Sequence, residues 1–366
     1  MSKRLANTIT VIRPPDSHCP LCQLTYKQRR ANKTEEHIFP LWLQKHHNLL
    51  TQKLTHPNGV RRKYKSLKID SCSKCNNKRF GDLEDYLAPH FKSDNPFDAL
   101  RDMDDSLLAI WLAKIVWLMG IKSGHTPDPK TRLDPVPDTI VPQKQLPYIG
   151  FLGAIVRAYA LNKQIDARLR DEPLYPPMFR PPYSFYRFKL DYQDQPLHRF
   201  NFHDGFGLLS AAMISDNIGM VCLFDMGLHR HWLWREYHEY FNRILHPIQF
   251  QELAARMVWD QSSLQHEAYH FRADWLSSEN RLLMTNGSSC RDMPYKDENI
   301  DLEELDRYFD LYTDGKVRGQ IVDGSFQFNT MLKHQNGNHW DCVNMRTWDD
   351  PPIWYVDHPY ENRSKT

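Results

Sequence analysis

The most regular feature of the chain is an apolar stretch from Leu107 to Ile121, preceded by Asp104 and Asp105 and interrupted by Lys114. It predicts a helix over Asp104–Lys122 with aliphatic residues on three faces. Such a helix packs between two parts of a chain, and the interruptions set it apart from a membrane span. Upstream, Phe80, Leu83 and Leu87 recur at helical spacing and predict a helix over 76–87 in spite of Gly81. Downstream, Gly150–Leu169, Trp232–Ile244, Pro247–Asp260 and Leu302–Tyr312 read as helices. Ser184–Leu190, Gly219–Asp225, Ser325–Thr330 and Ile353–Val356 read as strands. The two types do not alternate regularly, so the expected fold class is α+β and not a doubly wound sheet. Pro57-Asn58-Gly59 predicts a hairpin turn. A run of prolines from Pro127 to Pro147 reads as a connector. The expected organisation is therefore a unit over 1–95, a linking region over 96–147 that holds the apolar helix, and a larger α+β domain over 148–366.

Composition permits two packed domains: 366 residues, 41% hydrophobic and 25% charged. No long apolar run follows the basic residues of the N-terminus, so the expectation is a cytoplasmic protein with no membrane partner. Net charge is only +2, but its distribution is uneven. Residues 1–80 hold 17 Lys and Arg against 4 Asp and Glu, and the remainder 30 against 41. A surplus of 13 in the first part and a deficit of 11 in the second point to a polyanionic partner for the N-terminal unit.

Cysteines divide in the same way. Four of the 7 form two knuckles, Cys19-Pro20-Leu21-Cys22 and Cys72-Ser73-Lys74-Cys75, the spacing of a tetrahedral zinc site. The odd total argues against a full disulfide framework, and Cys222, in the apolar run Met220–Phe224, reads as a buried thiol. Between the knuckles lies Glu35-Glu36-His37-Ile38-Phe39-Pro40, and Asn76-Asn77 follow the second knuckle directly.

In this order of motifs, over residues 19 to about 87, the sequence resembles the HNH endonucleases whose ββα-metal core is braced by a four-cysteine zinc. The resemblance implies a treble-clef-like N-terminal domain in which Cys19, Cys22, Cys72 and Cys75 bind structural Zn²⁺. It implies His37 as general base and Glu36 with Asn76 as ligands of a catalytic Mg²⁺ or Mn²⁺, with Asn77 a rival to Asn76. The chemistry suits the residues: imidazole titrates near neutrality, and carboxylate and amide oxygens take a hard cation. Neighbours on a strand point to opposite faces, so Glu36 and His37 share a site only where the strand is bulged or turning. Two departures stand out. Many family members carry Asp where this chain has Glu36, and Ser66–Asp70 lacks the family's asparagine that orients the base. Ser66, Asp70 or a backbone carbonyl would have to take that role.

Arg29, Arg30, Arg61, Arg62, Lys63, Lys65, Lys78 and Arg79 are the expected nucleic-acid contacts. The expected partner is DNA, with RNA open. A homo-oligomer is in keeping with two-strand cleavage, and a protein or small-molecule regulator would act at the C-terminal domain. By analogy of architecture, the biology expected is a bacterial antiviral defence nuclease. The alternatives are a zinc-knuckle protein that binds nucleic acid without cutting it, and a zinc peptidase acting through His266-Glu267-Ala268-Tyr269-His270.

Overall fold

Ahead of the apolar run, Asn95 accepts from the Asp98 N–H and starts a short helix; at Asp104 the same device is repeated, with its carboxylate accepting from the Ser106 N–H. These caps fix where the central helix begins. In the computed structural model, residues 16–56, 59–130, 150–169, 181–191, 199–205, 209–232, 234–265, 271–276, 281–286, 302–313, 317, 319–322, 325–330, 332 and 354–355 are described.

From the first knuckle the chain runs through the one-turn helix α1 (Tyr26–Arg29) into strand β1 (Lys33–His37). It turns at Pro40 into α2 (Leu41–His46) and forms the hairpin β2 (Lys53–Thr55) and β3 (Arg61–Lys63), then β4 (Lys68–Cys72). The hairpin is the one expected from Pro57-Asn58-Gly59, with Gly59 at φ +78°. After the second knuckle, Lys74–Phe80 forms wide π-helical turns that continue as α3 (Gly81–Phe91). Next come α4 (Pro96–Leu100) and α5 (Asp105–Gly124). α5 is buried at almost every position from Leu108 to Gly124, Trp111, Lys114 and Trp117 included, and packs against α6 (Gly150–Ala160), as an all-round apolar helix must. It is the described helix long and apolar enough to cross a membrane, and it lies largely inside the protein.

The sequence reading extended α6 to Leu169, and the structure corrects this. The Leu161 N–H bonds the Arg157 carbonyl at 3.0 Å and the Lys163 N–H bonds that of Ala158 at 2.8 Å. Asn162 takes φ +58°, so the helix closes on a left-handed residue. Gln164–Leu169 is then a strand, β5. The chain continues as β6 (Ser184–Leu190), β7 (Phe200–Gly205), β8 (Ser210–Ser215), β9 (Ile218–Leu223), α7 (Leu228–Trp232) and α8 (Trp234–Phe241). After β10 (Ile244–Leu245) come α9 (Pro247–Gln265), β11 (Phe271–Leu276), β12 (Arg281–Asn286) and α10 (Leu302–Thr313). The last described strands are β13 (Gly319–Val322), β14 (Ser325–Asn329) and β15 (Trp354–Tyr355). Ile244, read from sequence as the end of a helix, instead pairs together with Leu245 parallel to β6.

The central sheet has the order β10-β6-β9-β8-β7, antiparallel except for β10. Helices α5 and α9 both touch it, and β8 and β9 are buried at every position. The fold is thus mixed helix and strand, α+β, with the cysteine cluster near its N-terminus. One contiguous apolar cluster runs from Cys19 to Leu332. Phe39 meets Phe202 edge-on at 5.0 Å, and Trp117 Nε1–H donates to the Pro20 carbonyl at 2.9 Å. These contacts seat the knuckle unit on the central sheet and on α5.

Candidate functional site

The four cysteines come together because two separate turns face each other. In the first, the Cys19 N–H bonds the Leu24 carbonyl at 2.9 Å and Gln23 takes φ +56°, folding the knuckle back on itself. The second sits where β4 passes into the helix, and the Cys72 N–H points at Cys19 Sγ, 3.3 Å away. All four thiols are buried, and their sulfurs lie within 4.8 Å of one another, Cys22 and Cys72 at 4.0 Å. Thiolates about 2.3 Å from a tetrahedral ion sit about 3.8 Å apart, so the group has the size and softness for zinc. Zinc here would join the ends of the β1–β4 pair to the start of the following helix.

Strand β1 pairs with β4 without a bulge, from Lys33 opposite Cys72 to His37 opposite Lys68. The alternation therefore holds along the whole strand. Glu36 points into the protein, whereas Glu35 and His37 lie on the other face. Asn76, on the π-helical turns, donates through Nδ2 to Thr34 Oγ1 at 3.1 Å and to the Glu35 carbonyl at 3.0 Å. Thr34 and Glu36 share a face of the strand, so Asn76 docks on the Glu36 side and His37 stands at the strand end on the opposite side. Asn77 is exposed. Gly81 allows this docking: a β-carbon there would come within 2.8 Å of the Asn76 carbonyl oxygen.

Glu36 is only 3% exposed. Its Oε1 meets Lys114 Nζ, which also binds Glu84, and Lys114 itself is fully buried. Two carboxylates hold the lysine as an ammonium against the cost of burial, while burial pushes the Glu84 carboxyl up. Glu36 Oε2 is buried with no hydrogen-bond partner. With the Asn76 nitrogen committed to the strand and Glu36 Oε1 to Lys114, Glu36 Oε2 and the Asn76 oxygen are the hard donors left to each side chain, the atom type that magnesium and manganese take.

His37 is half-buried, and burial, reinforced by Lys68, lowers its pKa. Gln44, fully buried on α2, donates its amide hydrogens to the Phe39 carbonyl at 2.6 Å and towards His37 Nδ1 at 3.4 Å. Sequence reasoning missed Gln44. Its signal is a glutamine on the buried face of a short helix, a position that polar groups occupy only when bonded. Neither sequence candidate for orienting His37 is engaged with it: Ser66 Oγ donates to the Lys63 carbonyl and Asp70 pairs with Lys33.

The basic residues separate into two groups. Arg29 donates to the Ala160 carbonyl at 3.0 Å. Arg79 donates to the Tyr159 carbonyl and Asn162 Oδ1 and lies over the Tyr159 ring at 4.3 Å. Both guanidinium groups are thus committed to α6 and its cap. Arg30, Arg61, Lys63, Lys65 and Lys78 are exposed, and Arg62 is half-buried. The motif His266–His270 lies outside the described residues. Cys222 is a buried thiol in β9, as expected. No protein-family model, curated protein or solved structure matches the chain.

Proposed function

We propose that this chain is a metal-dependent endonuclease of the HNH kind, cutting phosphodiester bonds in DNA at the end of β1. The observation that carries this reading is the docking of Asn76 onto the strand that ends in His37, on a helix whose start is fixed by the second cysteine knuckle. Glutamate and asparagine, drawn from two separated segments, sit on one face of β1, and His37 closes the same strand on its other face. A neutral, half-buried imidazole at the strand end is suited to take a proton from water as that water attacks phosphorus. The depressed pKa keeps His37 in this basic form at neutral pH. Magnesium or manganese held by Glu36 and Asn76 would neutralise phosphate charge. Exposed Arg30, Arg61, Lys63, Lys65 and Lys78 would bind backbone phosphates, giving affinity without base sequence.

Two observations favour a second reading, a zinc module that binds nucleic acid and does not cut it. Lys114 already supplies a cation to Glu36. The Gln44 nitrogen can only donate, so its contact with Nδ1 favours the tautomer whose hydrogen is on Nε2. Single-turnover cleavage of a labelled duplex in Mg²⁺ or Mn²⁺, with binding followed by anisotropy on the same samples, separates the two. The nuclease predicts cleavage that falls at least a hundredfold in His37→Ala and Asn76→Ala with binding retained. Binding without cleavage by the wild-type protein in either metal selects the second reading.

A further inference from the structure

α2 ends in His46, which is followed by His47, and the turn from β8 to β9 carries Asp216. His46 Nε2 lies 2.7 Å from Asp216 Oδ2. One nitrogen of each imidazole and one carboxylate oxygen fall within 4.8 Å of one another. Among the described residues, this is the one convergent His/Cys/Asp/Glu group besides the four cysteines. His47 and Asp216 are also fixed by their surroundings. Ser215 Oγ meets His47 Nε2 at 2.9 Å, and the His47 ring packs on Phe200 with centroids 5.0 Å apart. Asp216 sits at φ +47° with its N–H on the Arg199 carbonyl at 2.7 Å. His46 borders a shallow groove with Leu41, Trp42, Lys45 and Lys92, which gives water access on that side.

We propose that His46, His47 and Asp216 form a second metal site, for a divalent transition ion of the zinc class, which fastens α2 to the central sheet. Two imidazoles and a carboxylate are the donors of zinc, cobalt and nickel sites, whereas magnesium and calcium take oxygen. The ion takes the place of the hydrogen between His46 Nε2 and Asp216, and the imidazole keeps its ring hydrogen on Nδ1. Three protein ligands leave at least one position for water on the groove side. The site joins the segment that follows the Glu-His strand to a turn about 170 residues further on, as the His46–Asp216 contact already does. It stands apart from the nuclease reading and holds whether or not the protein cuts DNA.

The test is a Co²⁺ titration of the full chain with zinc left in the cysteine site, reading bound cobalt by equilibrium dialysis and the visible spectrum. The expected result is one further equivalent of cobalt, with ligand-field bands and no thiolate charge-transfer band. Asp216→Asn, which tolerates the left-handed backbone and can still bond His46, should weaken this uptake at least tenfold. So should His46→Gln, with far-UV circular dichroism and cysteine-bound zinc unchanged in both. If wild type takes up no more cobalt than Asp216→Asn, the site does not exist.

Discussion

Lys114 was visible in the sequence only as an interruption of an apolar helix, and the structure gives it two carboxylate partners, Glu36 and Glu84. Removing one member of a buried ionic group leaves the others uncompensated, which costs far more than the group contributes as a whole. Lys114→Ala should therefore destabilise the protein by about 3–5 kcal/mol in urea unfolding, and Lys114→Met combined with Glu36→Gln and Glu84→Gln should recover much of that loss. His37 makes a prediction of its own. Its pKa lies below the ordinary imidazole value, so the basic form persists on acidification. Cleavage should hold steady from pH 8 down past about 6.5 and fall only below it. A rate that declines already above pH 7 would assign the base to another group. Glu36, His37 and Asn76 could be picked out as candidates from the sequence, because each belongs to a short motif of fixed spacing. Gln44 was not, because its relation to His37 depends on how α2 turns back after Pro40.

At the level of elements, apolar runs and turn signals were the readable marks. They placed α5 behind Asp104, the β2–β3 hairpin, β6 and β9 close to where they are observed. They failed where a short strand carries small residues or its pairing is distant. β8 is buried at every position, so it shows no alternation to read, and β5 is a strand only because β12 lies beside it. The helix after the second knuckle is a middle case. Gly81 argued against it on propensity, yet that glycine is what lets the Asn76 carbonyl approach. Gly81→Ala would gain helix propensity, but its methyl meets backbone at 2.8 Å and displaces the turns that carry Asn76. The substitution should cost about 1–3 kcal/mol in thermal unfolding and reduce cleavage along with stability. A more stable protein with full activity would show that the close approach is relaxed without consequence.

For the molecule as a whole, the charge asymmetry along the chain was the earliest functional signal, and part of it has a structural destination. Arg29 and Arg79 hold α6 to the knuckle unit, so the surface proposed to bind phosphate is smaller than the basic count implied. Alanine at Lys63 and Lys65 should flatten the salt dependence of DNA affinity by about 0.9 for each phosphate no longer neutralised, while Arg79→Ala should act chiefly through stability. The hairpin is also tied to α5 through His56, buried with Nδ1 3.1 Å from Ser123 Oγ. Burial lowers the His56 pKa from 6.5 to about 4. Below pH 6.5 the unfolded chain gains a proton there that the folded protein refuses, so stability falls as pH drops towards 4. The loss should be about 2 kcal/mol between pH 7 and pH 5 and smaller in His56→Gln, read from urea unfolding at the two pH values.

The most direct measurement of the central claim is relaxation of supercoiled plasmid by zinc-loaded protein, with Mg²⁺ or Mn²⁺ and with EDTA, beside a folded His37→Ala control. The account predicts nicking that requires the added metal and vanishes in the control. Nicking that persists in His37→Ala, or an intact plasmid in both metals under conditions where the protein is bound to it, would contradict the account.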